Sequence, residues 1–228
     1  MSQVRVGVIS SSNGETFAQM WRGVQHLPVT FTVVTDRPCG IESVARERDI
    51  PCRRIDGDRG EFSRGAAHDL VAQSIDFVLL YFNRLVGPDV YERIPTYNIH
   101  PSLLPAFPGF GALEGALERD VRYVGATLHL ATARADSGPI VAQVCAPVWP
   151  PCTGMQLAEL SFVQRVYLSL LCVELALDDA LEVDPATGTA RHVARRPYTD
   201  RCNPAIQDSG MLALIDELDA TRATKSIA

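Results

Sequence analysis

The sequence has no block of Lys and Arg. Its 21 basic residues face 27 acidic ones, giving a net charge of −6 and a pI near 5.4, which argues against long-range attraction to nucleic acid or an anionic membrane. No apolar run approaches the roughly 20 residues of a membrane span, and Met1 to Ile9 lacks the charged region and long apolar core of a signal sequence. The six cysteines, at 39, 52, 145, 152, 172 and 202, are scattered without the close pairing that a zinc site needs. Free thiols in a reducing compartment and no metal are therefore expected. Internal repeats and low-complexity tracts are also missing. These absences leave a soluble, cytoplasmic protein that acts on a small molecule.

At 228 residues and 46% hydrophobic, the chain is long enough for one well-buried α/β domain with little left for a second. We expect a domain over residues 1–182 and a C-terminal extension over 183–228. Val4 to Ile9 predicts a strand, the Ser10 to Gly14 run a polar turn, and Phe17, Met20, Trp21 and Val24 a helix. Val29 to Val34 predicts a second strand, Ile41 to Arg48 a helix and Pro51 to Ile55 a short third strand. A helix ending near Gln73 and a buried strand from Ile75 to Tyr81 follow. Strands alternating with helices imply a mostly parallel sheet with helices on both faces. In the second half, Val124 to Thr132 and Ile140 to Pro147 are spaced to pair antiparallel. A long amphipathic helix is expected from about Thr153 to Asp178. Beyond Val183, a Pro- and Gly-containing stretch and a short helix from Met211 to Leu218 suggest an extension over the domain or a flexible terminus.

The most informative stretch is Asn98-Ile99-His100-Pro101-Ser102-Leu103-Leu104-Pro105, with Asp136-Ser137-Gly138-Pro139 further on. Two prolines deny the first stretch regular hydrogen bonding just after an apolar-flanked strand. Strand ends that open into stiff loops are where α/β sheets place chemistry. Asn98 and His100 are two residues apart, so on a strand they face one side. An amide, an imidazole and a carboxylate together suit an acyl-transfer site.

These motifs resemble the folate-dependent formyltransferase family, of the glycinamide ribonucleotide transformylase-like kind. The resemblance runs from about Val4 to Asp179. It includes Val124-Gly125-Ala126-Thr127-Leu128-His129, similar to the family's Gly-x-Ser/Thr-x-His strand, and the Asp136-x-Gly-Pro turn. It implies a Rossmann-like formyltransferase fold and 10-formyltetrahydrofolate as formyl donor. Formyl transfer to an amine passes through a tetrahedral oxyanion while the amine loses a proton. Asn98 supplies an uncharged donor to that oxygen. His100 carries the proton, and Asp136 orients the imidazole, favours its charged form or takes the proton through water. Thr127 and His129 stand behind these groups. The resemblance assigns the donor pocket to Phe82, Arg84, Leu85 and Val86, with Val90, Thr132 and Asp136; Asn83 replaces a family Met. The expected partner is a small-molecule amine, with a homodimer left open.

The resemblance is weaker on the acceptor side, which the family pattern assigns to Asn13, Gly14, Glu15, Thr16 and Arg165. Where phosphate-binding members have Gly-Ser-Asn, this chain has Gly14-Glu15-Thr16, placing a carboxylate near a helix N-terminus that would hold a phosphate. Two unit charges about 4 Å apart repel by roughly 1 kcal/mol even in water. On the long helix, Gln164-Arg165-Val166 stands where the family has Gln-Glu-His. Phe110-Gly111-Ala112-Leu113 replaces a His-containing loop. These departures point to an acceptor other than glycinamide ribonucleotide: an amino sugar nucleotide, an amino acid or a specialised-metabolite amine. The alternative is a phosphoribosylglycinamide formyltransferase of purine biosynthesis that tolerates the changed loop. Formyltetrahydrofolate hydrolysis is disfavoured, because family deformylases usually carry a domain ahead of the first strand, which here begins near Val4. Transfer to tRNA would need a basic C-terminal domain. Retention of Asn98, His100 and Asp136 argues against an inactive folate-binding protein.

Overall fold

The computed structural model describes residues 3–148, 151–183, 190–191 and 196–225. It divides into two compact units, Met1–Asn98 with Leu130–Gly138, and Ile99–His129 with Pro139–Ala228. The fold is an open, mostly parallel α/β sheet with antiparallel strands at its end and helices around it.

The first unit alternates β1 (Val4–Ser10), α1 (Glu15–Gly23), β2 (Val29–Thr35), α2 (Gly40–Arg46), β3 (Cys52–Arg54), α3 (Arg59–Ala72), β4 (Phe77–Tyr81), α4 (Pro88–Tyr91) and β5 (Thr96–His100), whose last two residues fall in the second unit. Its strands run parallel in the order β5-β4-β1-β2-β3. β1 lies in the middle and is covered on both faces, so Val6, Val8 and Ile9 are fully buried. One face is filled by Ile9, Val34, Phe62, Leu70, Val78 and Val90, packed as one cluster. Asp58 starts α3 with a capping box, accepting from Gly60 and Glu61 amides while Glu61 accepts from Asp58. The sequence pattern does not predict α4, a single turn opened by Pro88.

The second unit contains α5 (Ala112–Glu118), β6 (Tyr123–Leu130), β7 (Ile140–Pro147), α6 (Gly154–Leu177), β8 (Glu182–Val183), β9 (Ala190–Arg191), β10 (Cys202–Asn203) and α7 (Ser209–Lys225). β6 and β7 are antiparallel with Thr127 opposite Gln143, and β10 adds to β7 with Cys202 opposite Val144. α6 is not amphipathic in its second half, because every residue from Val166 to Leu175 is buried. Contrary to the sequence reading that no apolar run approaches a membrane span, it is long and apolar enough to cross one, but 72% of its most apolar window is buried inside the protein, as in a core helix.

The C-terminal segment packs through a buried polar anchor. Glu174 on α6 accepts from the backbone amides of Gln207 (2.9 Å) and Asp208 (2.6 Å) and from Arg196 Nη1 (2.6 Å). Arg196 also pairs with Asp178, and the Tyr167 hydroxyl accepts from the Ile206 amide at 2.9 Å. Burial pushes the Tyr167 phenol pKa up. Asp208 caps α7 by accepting from Met211. The helix expected over Met211 to Leu218 is therefore longer at both ends. Residues 184–189, 192–195 and 226–228 of the expected extension lie outside the described residues.

Candidate active site

Asn98 and His100 alternate along β5, with Asn98 half-buried and His100 buried at 4% exposure. The Nε2 of His100 is 2.7 Å from the Phe107 carbonyl oxygen. A carbonyl only accepts, so Nε2 carries the N–H, and the proton the ring gains or gives up resides on Nδ1. Phe107 aims this carbonyl from a left-handed backbone conformation, φ 51°. Its side chain packs against the cluster of Ala116, Val124 and Leu157, with the Arg119 guanidinium 5.4 Å from its ring centroid.

The loop between His100 and Phe107 is fastened by Thr127. Its hydroxyl donates to the Ser102 carbonyl (2.7 Å) and accepts from the Leu104 amide (3.0 Å) and Gln143 Nε2 (3.0 Å). Gln143 also donates to the Leu104 carbonyl at 3.0 Å. Ser102 closes the loop by donating to the Ala106 carbonyl at 2.5 Å. Thr127 thus uses its one donor and both acceptor positions on the loop and the neighbouring strand. His129, two residues along β6, is buried.

Asp136 is half-buried at the tip of a turn and has a left-handed backbone, φ 52°, which Asp tolerates better than most residues. Ser137 Oγ and Thr132 Oγ1 both donate to the Arg134 carbonyl, at 2.8 and 3.1 Å. Gly138 closes the turn against β6. A Cβ there would lie 1.8 Å from the Leu130 carbonyl oxygen, so only glycine fits.

The loops after β1 and β4 are joined. Ser11 Oγ donates to Asn83 Oδ1 (2.8 Å) and accepts from the Asn83 amide (3.3 Å). In the first loop, Ser12 Oγ accepts from the Gly14 amide and Asn13 Oδ1 from the Glu15 amide. Gly14 has φ 88° and would bring a Cβ within 2.8 Å of Ile41 Cα. Glu15 is exposed on the first turn of α1, whereas Thr16 is buried. In the second loop, Phe82 stacks on Phe62, the Val86 carbonyl accepts from Arg59 (2.8 Å), and the Gly87 amide donates to Ser63 Oγ (2.7 Å). Val90 is fully buried, while Leu85 is 48% exposed on this pinned backbone. An exposed apolar side chain on a stiff loop at the carboxyl end of a parallel strand suits a flat ring system.

Arg84, expected at the donor, pairs with Asp36: Nη1 lies 2.8 Å from Oδ2. Arg37 grips the same carboxylate with Nε and Nη2 at 2.7–3.1 Å. Burial works to raise the Asp36 pKa, but the hydrogen bonds and charges of the two guanidinium groups outweigh it and hold the group below the usual carboxylate range. Arg165, on α6, is half-buried and donates from Nε to the Ser161 carbonyl at 3.4 Å. Phe110 is 85% exposed, and Ala112 and Leu113 open α5. Among the described residues, no group of three or more His, Cys, Asp or Glu is arranged to hold a metal ion.

Sequence reasoning overlooked Asp36, Phe107 and Gln143. A polar residue directly after a buried strand was a usable signal for Asp36. Phe107 acts through its backbone, which leaves no mark in side-chain pattern. Gln143 becomes visible only when β6 and β7 are paired in register.

An open α/β sheet with an Asn-x-His strand end is compatible with an enzyme of the acyl-transfer class. The sequence profile of the formyl transferase family matches residues 4–161, and the chain belongs to that family. It is an enzyme, and the family's formyl donor is 10-formyltetrahydrofolate. It is similar to phosphoribosylglycinamide formyltransferase from Mycobacterium tuberculosis, 33% identical over 153 residues, covering 63% of this chain and 71% of that one. Glycinamide ribonucleotide transformylase 1 from Symbiobacterium toebii superimposes with a TM-score of 0.78 at 29% identity, covering 84% of this chain and 95% of that one. Formyltetrahydrofolate deformylase from Escherichia coli is 32% identical over 123 residues, covering 51% of this chain and 44% of that one.

These comparisons overturn the expectation of an acceptor other than glycinamide ribonucleotide. The 33%-identical relatives and the well-matched structures bear the glycinamide ribonucleotide activity in their names. The structure also keeps the electrostatic objection small, because the Glu15 side chain is exposed to water, where the repulsion stays at roughly 1 kcal/mol instead of growing as it would on burial.

Proposed function

We propose that this protein transfers the formyl group of 10-formyltetrahydrofolate to the amine of glycinamide ribonucleotide, in the cytoplasm. The observation that carries the reading is the Asn98 and His100 alternation on β5, with the His100 tautomer set by the Phe107 carbonyl, in a chain 33% identical to a phosphoribosylglycinamide formyltransferase. Asn98 donates an N–H to the oxyanion that develops on the formyl oxygen. His100 works at Nδ1, exchanging a proton with the reacting centre. Asp136 stabilises the charged imidazole or relays the amine's proton through water. Phe82, Arg84, Leu85, Val86, Val90 and Thr132 belong to the donor side. Asn13, Gly14, Thr16 and the first turn of α1 receive the acceptor phosphate, whose charge the helix dipole favours. Glu15 and Arg165 border the acceptor.

The test is donor consumption with and without glycinamide ribonucleotide, with product identified by mass. Formylated ribonucleotide supports the reading. Equal donor loss with formate release in the absence of acceptor replaces it with hydrolysis.

A further inference from the structure

We infer that Asp36 is a positioning residue for formyl-donor binding, holding Arg84 and through it the shape of the 82–87 loop. The inference rests on the assignment of that loop to the donor.

Asp36 directly follows β2, and Arg84 follows β4 by three residues. β1 lies between these strands, so the Arg84–Asp36 bridge spans the carboxyl end of β1, where the Ser10 to Asn13 loop departs. The Asp36 side chain is wholly inaccessible, while Arg84 and Arg37 keep 34% and 47% exposure. A buried carboxylate is costly unless it is paired, and this one is paired twice.

The loop is pinned at Asn83 by Ser11 and at Val86 and Gly87 by Arg59 and Ser63. Arg84 and Leu85 occupy the stretch between those pins. Asp36 holds that stretch by its side chain, so the exposed Leu85 is presented from a fixed backbone. Asn at position 36 would lose the charge and put an NH2 group, which only donates, in place of one carboxylate oxygen, so its hold on both guanidinium groups would weaken. A released Arg84 would bring a mobile cation and a loosened backbone to the face that receives the donor. Donor affinity is then lost, while Asn98, His100 and Asp136 remain in place.

The experiment compares wild type, Asp36→Asn and Arg37→Ala in steady-state kinetics with each substrate varied. Equilibrium titration with 5-formyltetrahydrofolate, which has the same ring system and tail, gives donor-site affinity directly. Asp36→Asn is expected to raise donor KM and the 5-formyltetrahydrofolate Kd about tenfold, with kcat and acceptor KM within about twofold. Arg37→Ala keeps the Asp36–Arg84 pair and is expected to leave both donor constants within about twofold. Unchanged donor constants in Asp36→Asn overturn the inference, as does a parallel fall in kcat and folded fraction, the mark of a purely structural residue. Wild type failing to bind 5-formyltetrahydrofolate removes the donor assignment itself.

Discussion

The His100 imidazole is fixed by the Phe107 backbone, whose carbonyl oxygen accepts from Nε2 at 2.7 Å. The residue that aims the catalytic candidate is therefore seven positions along the chain, and it acts from a left-handed conformation. Replacing Phe107 with Gly keeps the carbonyl and admits the same φ but removes the packing against Ala116, Val124 and Leu157. Turnover is expected to fall about tenfold or more while 5-formyltetrahydrofolate affinity holds, because loss of alignment affects the reacting geometry more than binding. Single-turnover kinetics beside a folate titration check it.

Removing the proposed oxyanion donor gives a sharper loss. Asn98→Ala is expected to lower kcat about 100-fold to 1000-fold with little change in either KM. A large rise in donor KM at constant kcat would instead make Asn98 a binding residue.

Thr127→Val preserves shape and removes a hydroxyl with three partners. The Leu104 amide and Ser102 carbonyl lose their side-chain partner, at about 2 kcal/mol. That corresponds to roughly 4–8 °C in melting temperature for a chain of this size. Thermal unfolding tests the stability loss.

Gly138→Ala places a methyl group against the Leu130 carbonyl, where a Cβ would stand 1.8 Å from the oxygen. The turn carrying Asp136 must shift or the chain must unfold, at about 3 kcal/mol or more. Reduced melting temperature together with lost turnover is expected. A stable, fully active variant would show that the Asp136 turn tolerates displacement.

The Asp36 carboxyl is held below its ordinary value of 3.8. Its stabilisation is thus complete above the unfolded pKa and disappears as pH falls through the lower folded value. The melting-temperature gap between wild type and Asp36→Asn is expected to be constant from about pH 7 to 5 and to close below about pH 4. A gap that persists to pH 2 would mean that shape, and not charge, holds the pair.

The sequence by itself determined the local elements and the chemical types at the site. Alternating apolar residues and polar turns were enough to locate β1, β2, β4, β6 and β7 within a few residues, because strand and helix periods are imprinted on the burial pattern. Asn98, His100 and Asp136 could be proposed from the sequence because a donor, a proton carrier and a carboxylate stand there in an order that resembles the family's. Tertiary structure alone decided what depends on contacts between distant residues. Glu15 looked like a charge against phosphate in one dimension, but its exposure followed from how α1 begins after the Asn13 and Gly14 turn. The partner of Arg84 became visible only when β2 and β4 were placed on either side of β1, bringing Asp36 within 2.8 Å. Likewise, α6 reads as amphipathic in sequence, but the elements packed around it bury Val166 to Leu175 on every side. Sequence spacing encodes which way a side chain points from its own element; which neighbour it meets there is set only when the elements pack.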